Sequence, residues 1–293
     1  MTNQAAAVGF ALMSAVTSAI FSIIIRKGQR HGNAATGVII GLIVSMPVLI
    51  VLSVIFSEPG WWHPRAIGYF IAAGLLGPCL GRMFIYLGIH HLGVARAVPL
   101  KSAQPLVAAT LAFIVLGERP GPLIWMGTLM IVAGCAVFSI KEKGDAPWNR
   151  RLIWLPVAAM FSFASGAIIR KIALGMLHSP LLGATFTSMS GLIFILGFAY
   201  TLPKDYRPDL RWGKAWYFYG VCGLINSVSF ILSFHAIIRG DISIVQPISG
   251  MTPFFALFLS HLFLRDVERV TRLVVMGTIL TVGGGALIGW RVM

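Results

Sequence analysis

Ten apolar runs of about 20 residues each leave this chain almost no way to fold in water. They fall near residues 5–25, 35–56, 66–89, 95–116, 121–140, 152–172, 180–202, 213–237, 242–264 and 270–290. A helix of that length crosses the hydrocarbon of a bilayer, and it satisfies its own backbone hydrogen bonds where no water is available. Charged residues make up 11% of the chain, against about 25% in an ordinary soluble domain. The expected fold class is an all-α membrane protein with ten transmembrane helices, its first partner the lipid bilayer. Trp61, Trp62, Trp148, Trp154, Trp212 and Trp290 stand near run edges, where an interfacial aromatic belt belongs. Thr2–Gln4 brings no basic leader, so the first run reads as a retained span.

A net charge of +14 invites a nucleic-acid reading. The charges are dispersed between the apolar runs, however, and retention of Lys and Arg in cytoplasmic loops explains them more simply. No nucleic acid is expected as a partner. Odd-numbered loops hold 15 Lys and Arg, whereas the N-terminus, even-numbered loops and C-terminus hold 6. This distribution predicts cytoplasmic odd loops and extracytoplasmic termini, in the plasma (inner) membrane. Cys79, Cys135 and Cys222 all lie inside apolar runs without metal-like spacing, as small packing residues do. Neither a metal nor a cofactor is expected.

The longest polar connection divides the chain nearly in half, at 141–151, and the halves resemble each other. Met126–Gly134 matches Met276–Gly284 at an offset of 150, and Pro99 and Pro105 match Pro247 and Pro253 at 148. Glu118 and Asp266 share the offset of 148, and Ile24–Lys27 echoes Ile168–Lys171 at 144. The expected organisation is a five-helix repeat over 1–140, a linker over 141–151 and a second repeat over 152–293. An odd number of spans per half turns the second copy upside-down. Inverted repeats place a substrate site between the halves near the midplane and give alternating access by rocking. A ten-helix scaffold without moving parts is the plainer alternative, but paired prolines inside matching helices suit it poorly.

On these features the chain resembles the drug/metabolite transporter superfamily, specifically its EamA-domain members. In the first half the resemblance rests on Tyr86-Leu-Gly88, Pro99, Pro105, Leu116-Gly-Glu118 and Gly127 through Gly134. In the second it rests on Pro247, Pro253 and Gly277 through Gly284, with Leu264-Arg-Asp266 departing from the Gly-Glu pattern. It implies secondary transport, often export, of a small metabolite.

Polar residues inside the runs narrow the substrate. Only Arg82 and Lys101 read as cations within spans, where each costs at least about 2.5–3.5 kcal/mol unless it faces a cavity or partner. Arg82 and Tyr86 share a helix face with His90, and Lys101 shares one with Gln104. In the second half Asn226 pairs with Phe230, and Gln246, Ser249 and Thr252 form a stripe. All nine acidic residues map to loops or helix ends. A midplane carboxylate, which a proton-coupled exporter of cations would use, is absent from the pattern. The expected substrate is an anionic or zwitterionic metabolite, with Arg82 and Lys101 attracting it. Tyr86, Gln104, Asn226 and Gln246 would add hydrogen bonds. Pro105 and Pro253 should kink spans four and nine along the pathway, with Pro99 and Pro247 grouped with them. Asn226 and Gln246 also read as helix-to-helix hydrogen bonds, and a histidine as a proton relay. Gly77/Gly81 and Gly285/Gly289 read as close-packing pairs that leave a homodimer open. Two rival classes are an intramembrane enzyme, for which no nucleophile or metal constellation converges, and a lipid scramblase or accessory subunit.

Overall fold

The computed structural model describes residues 2–28, 31–56, 62–92, 97, 100–138, 150–199, 207–263 and 272–292. Most of the linker expected over 141–151 lies outside them, as does Asp266. Within them the chain is helical, with no strand. The helices are α1 (Thr2–Gly28), α2 (Ala34–Phe56), α3 (Pro64–Gly74), α4 (Arg82–Leu92), α5 (Gln104–Leu111) and α6 (Pro122–Phe138). After them come α7 (Trp154–Met176), α8 (Pro180–Ala199), α9 (Lys214–Arg239), α10 (Ile242–Ser249), α11 (Thr252–Phe263) and α12 (Arg272–Val292). Seven helical stretches are long and apolar enough to cross a membrane, and Leu100–Leu116 and Pro122–Val137 are shorter apolar ones. Helix α12 is 21 residues long and occupies the last expected span.

Local chemistry sets several starts. Pro64 opens α3, and the His63 ring Nδ1 accepts the Ala66 N–H at 3.2 Å. Pro180 opens α8 after Ser179, whose hydroxyl accepts the Leu182 N–H at 3.4 Å. Between α3 and α4 the chain widens into a π-helical stretch, Leu75–Gly81, around Pro78. Pro78 has no N–H to donate, so the regular ladder is already broken there.

Close packing rests on glycine and small hydroxyl residues. Helices α6 and α12 cross with Gly127 against Gly284 and Gly134 against Gly277, which makes them antiparallel. A Cβ on Gly284 would come to 2.5 Å from the Gly127 carbonyl, and one on Gly134 to 2.7 Å from that of Gly277. Helices α1 and α9 also run antiparallel. The Ser14 hydroxyl donates to the Ser229 carbonyl at 2.9 Å, and Tyr219 OH donates to the Gly32 carbonyl at 2.8 Å. On the other side of the molecule α7 runs antiparallel to the α3–α4 stretch, with Gly88 on Pro156, Gly81 on Phe163 and Gly166 on Gly77. Helix α9 approaches α2 at Gly41 and Gly223, and α8 approaches α3 and its π stretch at Gly74, Pro78 and Gly191. Val54, Ile55, Phe113, Ile114, Ile193, Phe258 and Ile279 face outward, each more than half exposed. An outward apolar surface of this extent suits lipid.

Candidate functional site

The helical stretches at the expected spans four and nine are both broken, at matching points. In the first half helical turn geometry stops at Ala103, and α5 starts at Gln104. In the second half α10 stops at Ser249, Gly250 and Met251 form a turn, and α11 starts at Thr252. Ala103 and Met251 differ by the 148-residue offset of the prolines. The cause is the proline two residues on: Pro105 cannot donate to the Lys101 carbonyl, nor Pro253 to that of Ser249. Thr252 repairs the second loss, its hydroxyl donating to the Ser249 carbonyl at 2.8 Å. The interruptions fall two residues before Pro105 and Pro253. Pro247, by contrast, sits inside the continuous helix α10 and breaks nothing. Pro99 lies outside the described residues.

The two breaks face each other. Gln104 Nε2 donates to Gln246 Oε1 at 3.2 Å, and Pro105 packs on Gly250, where a Cβ would stand 2.9 Å from the proline ring. Behind them the Cys135 thiol of α6 donates to the Gly250 carbonyl at 3.4 Å. Ser249, beside the break, has a buried hydroxyl with no hydrogen-bond partner among the described residues.

Lys101 stands two residues before the first break. Its ammonium lies over the Phe163 ring of α7, 5.4 Å from the centroid, within electrostatic range of Arg82 at the start of α4. Of the expected site residues, Gln104 and Gln246 meet across the breaks, Thr252 bonds to Ser249, and Lys101 lies within electrostatic range of Arg82. Tyr86 is one turn beyond Arg82 on α4, but its side chain is outside the described residues.

Asn226 and Phe230 belong to a different part of the wall, on α9. Phe230 packs edge-on to Phe234, with ring centroids 5.1 Å apart, and both rings cover Arg170 of α7. Arg170 corrects the expectation that only Arg82 and Lys101 stand within spans. Helix α7 continues to Met176, and Arg170 Nε donates back to the Gly166 carbonyl at 3.2 Å, towards the middle of the helix. A legible signal pointed this way: the break to the next helix, Ser179-Pro180, comes nine residues after Arg170. Phe163 had no such signal, since one more aromatic in an apolar helix reads as packing.

Glu118 and Lys171 clamp the corner between α9 and α10. Gly117 adopts φ +69, a left-handed conformation that suits glycine, and turns the chain out of the π-helical turn Ala112–Leu116. The Glu118 carboxylate then accepts the N–H groups of Ile242 and Ser243 at 2.7 and 2.9 Å, capping α10. Lys171 Nζ donates to the carbonyls of Ile237 and Gly240, both at 2.7 Å, at the end of α9. Gln4 of α1 ties down Asp241 at 2.9 Å. Two helices, one from each half, and the loop residue Glu118 thus hold one corner.

The EamA-like transporter family matches the chain twice, over residues 5–140 and 150–290. The chain belongs to that family, and it is a multi-pass membrane transporter. It is 28% identical over 104 residues to an uncharacterized transporter of Bacillus subtilis, YwfM, a match covering 33% of this chain and 35% of that protein. With the uncharacterized transporter sll0355 of Synechocystis it shares 24% identity over 255 residues, 80% of this chain and 74% of the relative. A chloroplastic phosphoenolpyruvate/phosphate translocator of Oryza sativa is 26% identical over 92 residues, 31% of this chain and 22% of the translocator. A protein known from a crystal structure shares the fold, with a TM-score of 0.78 over 97% of each chain at 18% identity.

Proposed function

We propose that the chain is a secondary transporter, working as an exporter, that moves a small anionic or zwitterionic metabolite by alternating access between two inverted halves. The observation that carries the substrate class is the cation Lys101 beside the first helix break, with Arg82 within electrostatic range of it. No carboxylate stands within ion-pair distance of Lys101 among the described residues. A cation at that depth without a carboxylate beside it favours an anionic group as its ligand. Gln104, Gln246, Ser249 and Thr252 supply neutral donors and acceptors around that point, with Asn226 further off on α9.

The antiparallel crossing of α6 and α12 supports inversion, because Gly127 meets the repeat partner of Gly134 and Gly134 meets that of Gly127. The contacts of α1 with α9 have their counterpart in those of α7 with the α3–α4 stretch. On this reading α1 to α6 and α7 to α12 form ten spans in two five-span halves. The termini are extracytoplasmic and the membrane is the plasma (inner) membrane, from the Lys and Arg count. A lipid scramblase would instead need a polar groove open to lipid. Uptake by proteoliposomes of the purified protein, with amino acids, organic acids and phosphorylated metabolites, tests the proposal. Saturable flux of an anion or zwitterion supports it. Saturable flux of cations alone, or lipid flipping without solute flux, overturns it.

A further inference from the structure

We infer that Arg170 is a second anion-binding residue of this pathway, and that the substrate carries two acidic groups, one held near Lys101 and the other at Arg170. This rests on the pathway being an anion route.

The position of Arg170 is the first reason. An arginine six residues from a helix end can run its stem outward and keep its charge in the interface. Arg170 does the opposite: its Nε donates to the Gly166 carbonyl at 3.2 Å, and Gly166 is close to the middle of the span 154–176. A guanidinium held at that depth faces either a partner or a polar space. Among the described residues no carboxylate lies within ion-pair distance of it.

Its surroundings give the second reason. Phe230 and Phe234 stand 5.6 and 5.4 Å from the guanidinium carbon, so aromatic faces hold the flat group in place. Stacking of this kind leaves the edge of the guanidinium available, and the edge carries its five donors. Only Nε has a hydrogen-bond acceptor among the described residues. The two terminal nitrogens form the fork that takes a carboxylate or phosphate in two parallel bonds. As residues, Arg170 and Lys101 are both partly buried.

The third reason is alignment. Phe163, which lies under the Lys101 ammonium, and Arg170 are seven residues apart on α7 and share one face. At 1.5 Å per residue this separates the two stations by about 10 Å along the helix. A single anionic group would compensate one station and leave the other bare. Two acidic groups joined by a short carbon skeleton compensate both.

The test uses full-length protein in liposomes and two pairs of probes. Glutarate and 3-phosphoglycerate carry acidic groups at both ends; glutaramate, the monoamide of glutarate, and glycerol 3-phosphate carry one. Arg170→Gln should raise KM for the two-ended probes about tenfold or more, the loss of one charge-assisted contact, and leave KM for the one-ended probes within about twofold. Arg170→Lys keeps the charge and loses the fork, so it should fall between, and it replaces the glutamine variant if that elutes as aggregate. Equal effects on both classes of probe, or no effect on either, would assign Arg170 to packing and overturn the inference. A wild type that moves other anions saturably but neither two-ended probe overturns it as well, while leaving the anion route itself standing. If no anion is moved, the route falls with it.

Discussion

Removing the Glu118 carboxylate should loosen the corner between α9 and α10 by an amount the structure lets one work out. The carboxylate accepts two backbone N–H groups at 2.7 and 2.9 Å. A hydrogen bond to a charged group contributes about 1.5–3 kcal/mol, and an anion at a helix N-terminus about 0.3–1 kcal/mol more where exposed. Glu118 is half-buried, so the low end applies. Glu118→Ala should then cost about 2–4 kcal/mol, or about 30- to 1000-fold in the unfolding constant. Glu118→Gln keeps one acceptor oxygen but turns an amide donor towards a donor, so it should recover at most half. Unfolding equilibria in mixed micelles with increasing dodecyl sulfate measure both. Because Lys171 holds the other side of the same corner, Glu118→Ala and Lys171→Met should not add: a coupling of about 0.5–3 kcal/mol is expected. An alanine variant within about 0.5 kcal/mol of the parent, or two variants that add, would refute the clamp.

Gly284→Ala places a Cβ 2.5 Å from a backbone carbonyl and should destabilise by about 1–3 kcal/mol, whereas Gly68→Ala, which meets nothing within 4 Å, should be neutral or stabilising. The same unfolding assay compares them. Pro253→Ala restores an amide N–H able to reach the Ser249 carbonyl; stability should hold or rise while flux falls, if the break at Gly250–Met251 serves movement. Gln104→Leu and Gln246→Leu should show coupling in a double-mutant cycle on KM, since each is the other's partner at 3.2 Å. A reporter fused after Met293 should be active only in its extracytoplasmic form, and cytoplasmic activity would reverse the assigned orientation.

Much of the helical framework was legible because a bilayer leaves few choices. Apolar runs must be helices, and the proline pair Pro105/Pro253 had to interrupt spans four and nine. The glycines of Met126–Gly134 and Met276–Gly284 were legible as a repeat, and their meeting across α6 and α12 follows from antiparallel packing of like surfaces. The candidate site was only half legible. Lys101 and Gln104 stood out as polar residues in an apolar run. Arg170 was read as a span-end residue because a long side chain can point either way along a helix, and only its bond to Gly166 settles which. Glu118 looked like a loop residue at a span end; its role depends on α10 beginning 124 residues later in the chain. Contacts at that sequence distance leave no local pattern to read.

Flux of an anion through Lys101→Met and Arg82→Met variants in proteoliposomes is the most direct measurement. If these two cations draw the substrate to the break between the halves, each variant should lose about tenfold or more in kcat/KM while remaining folded. Variants that carry the anion as well as the parent would remove the pathway described here.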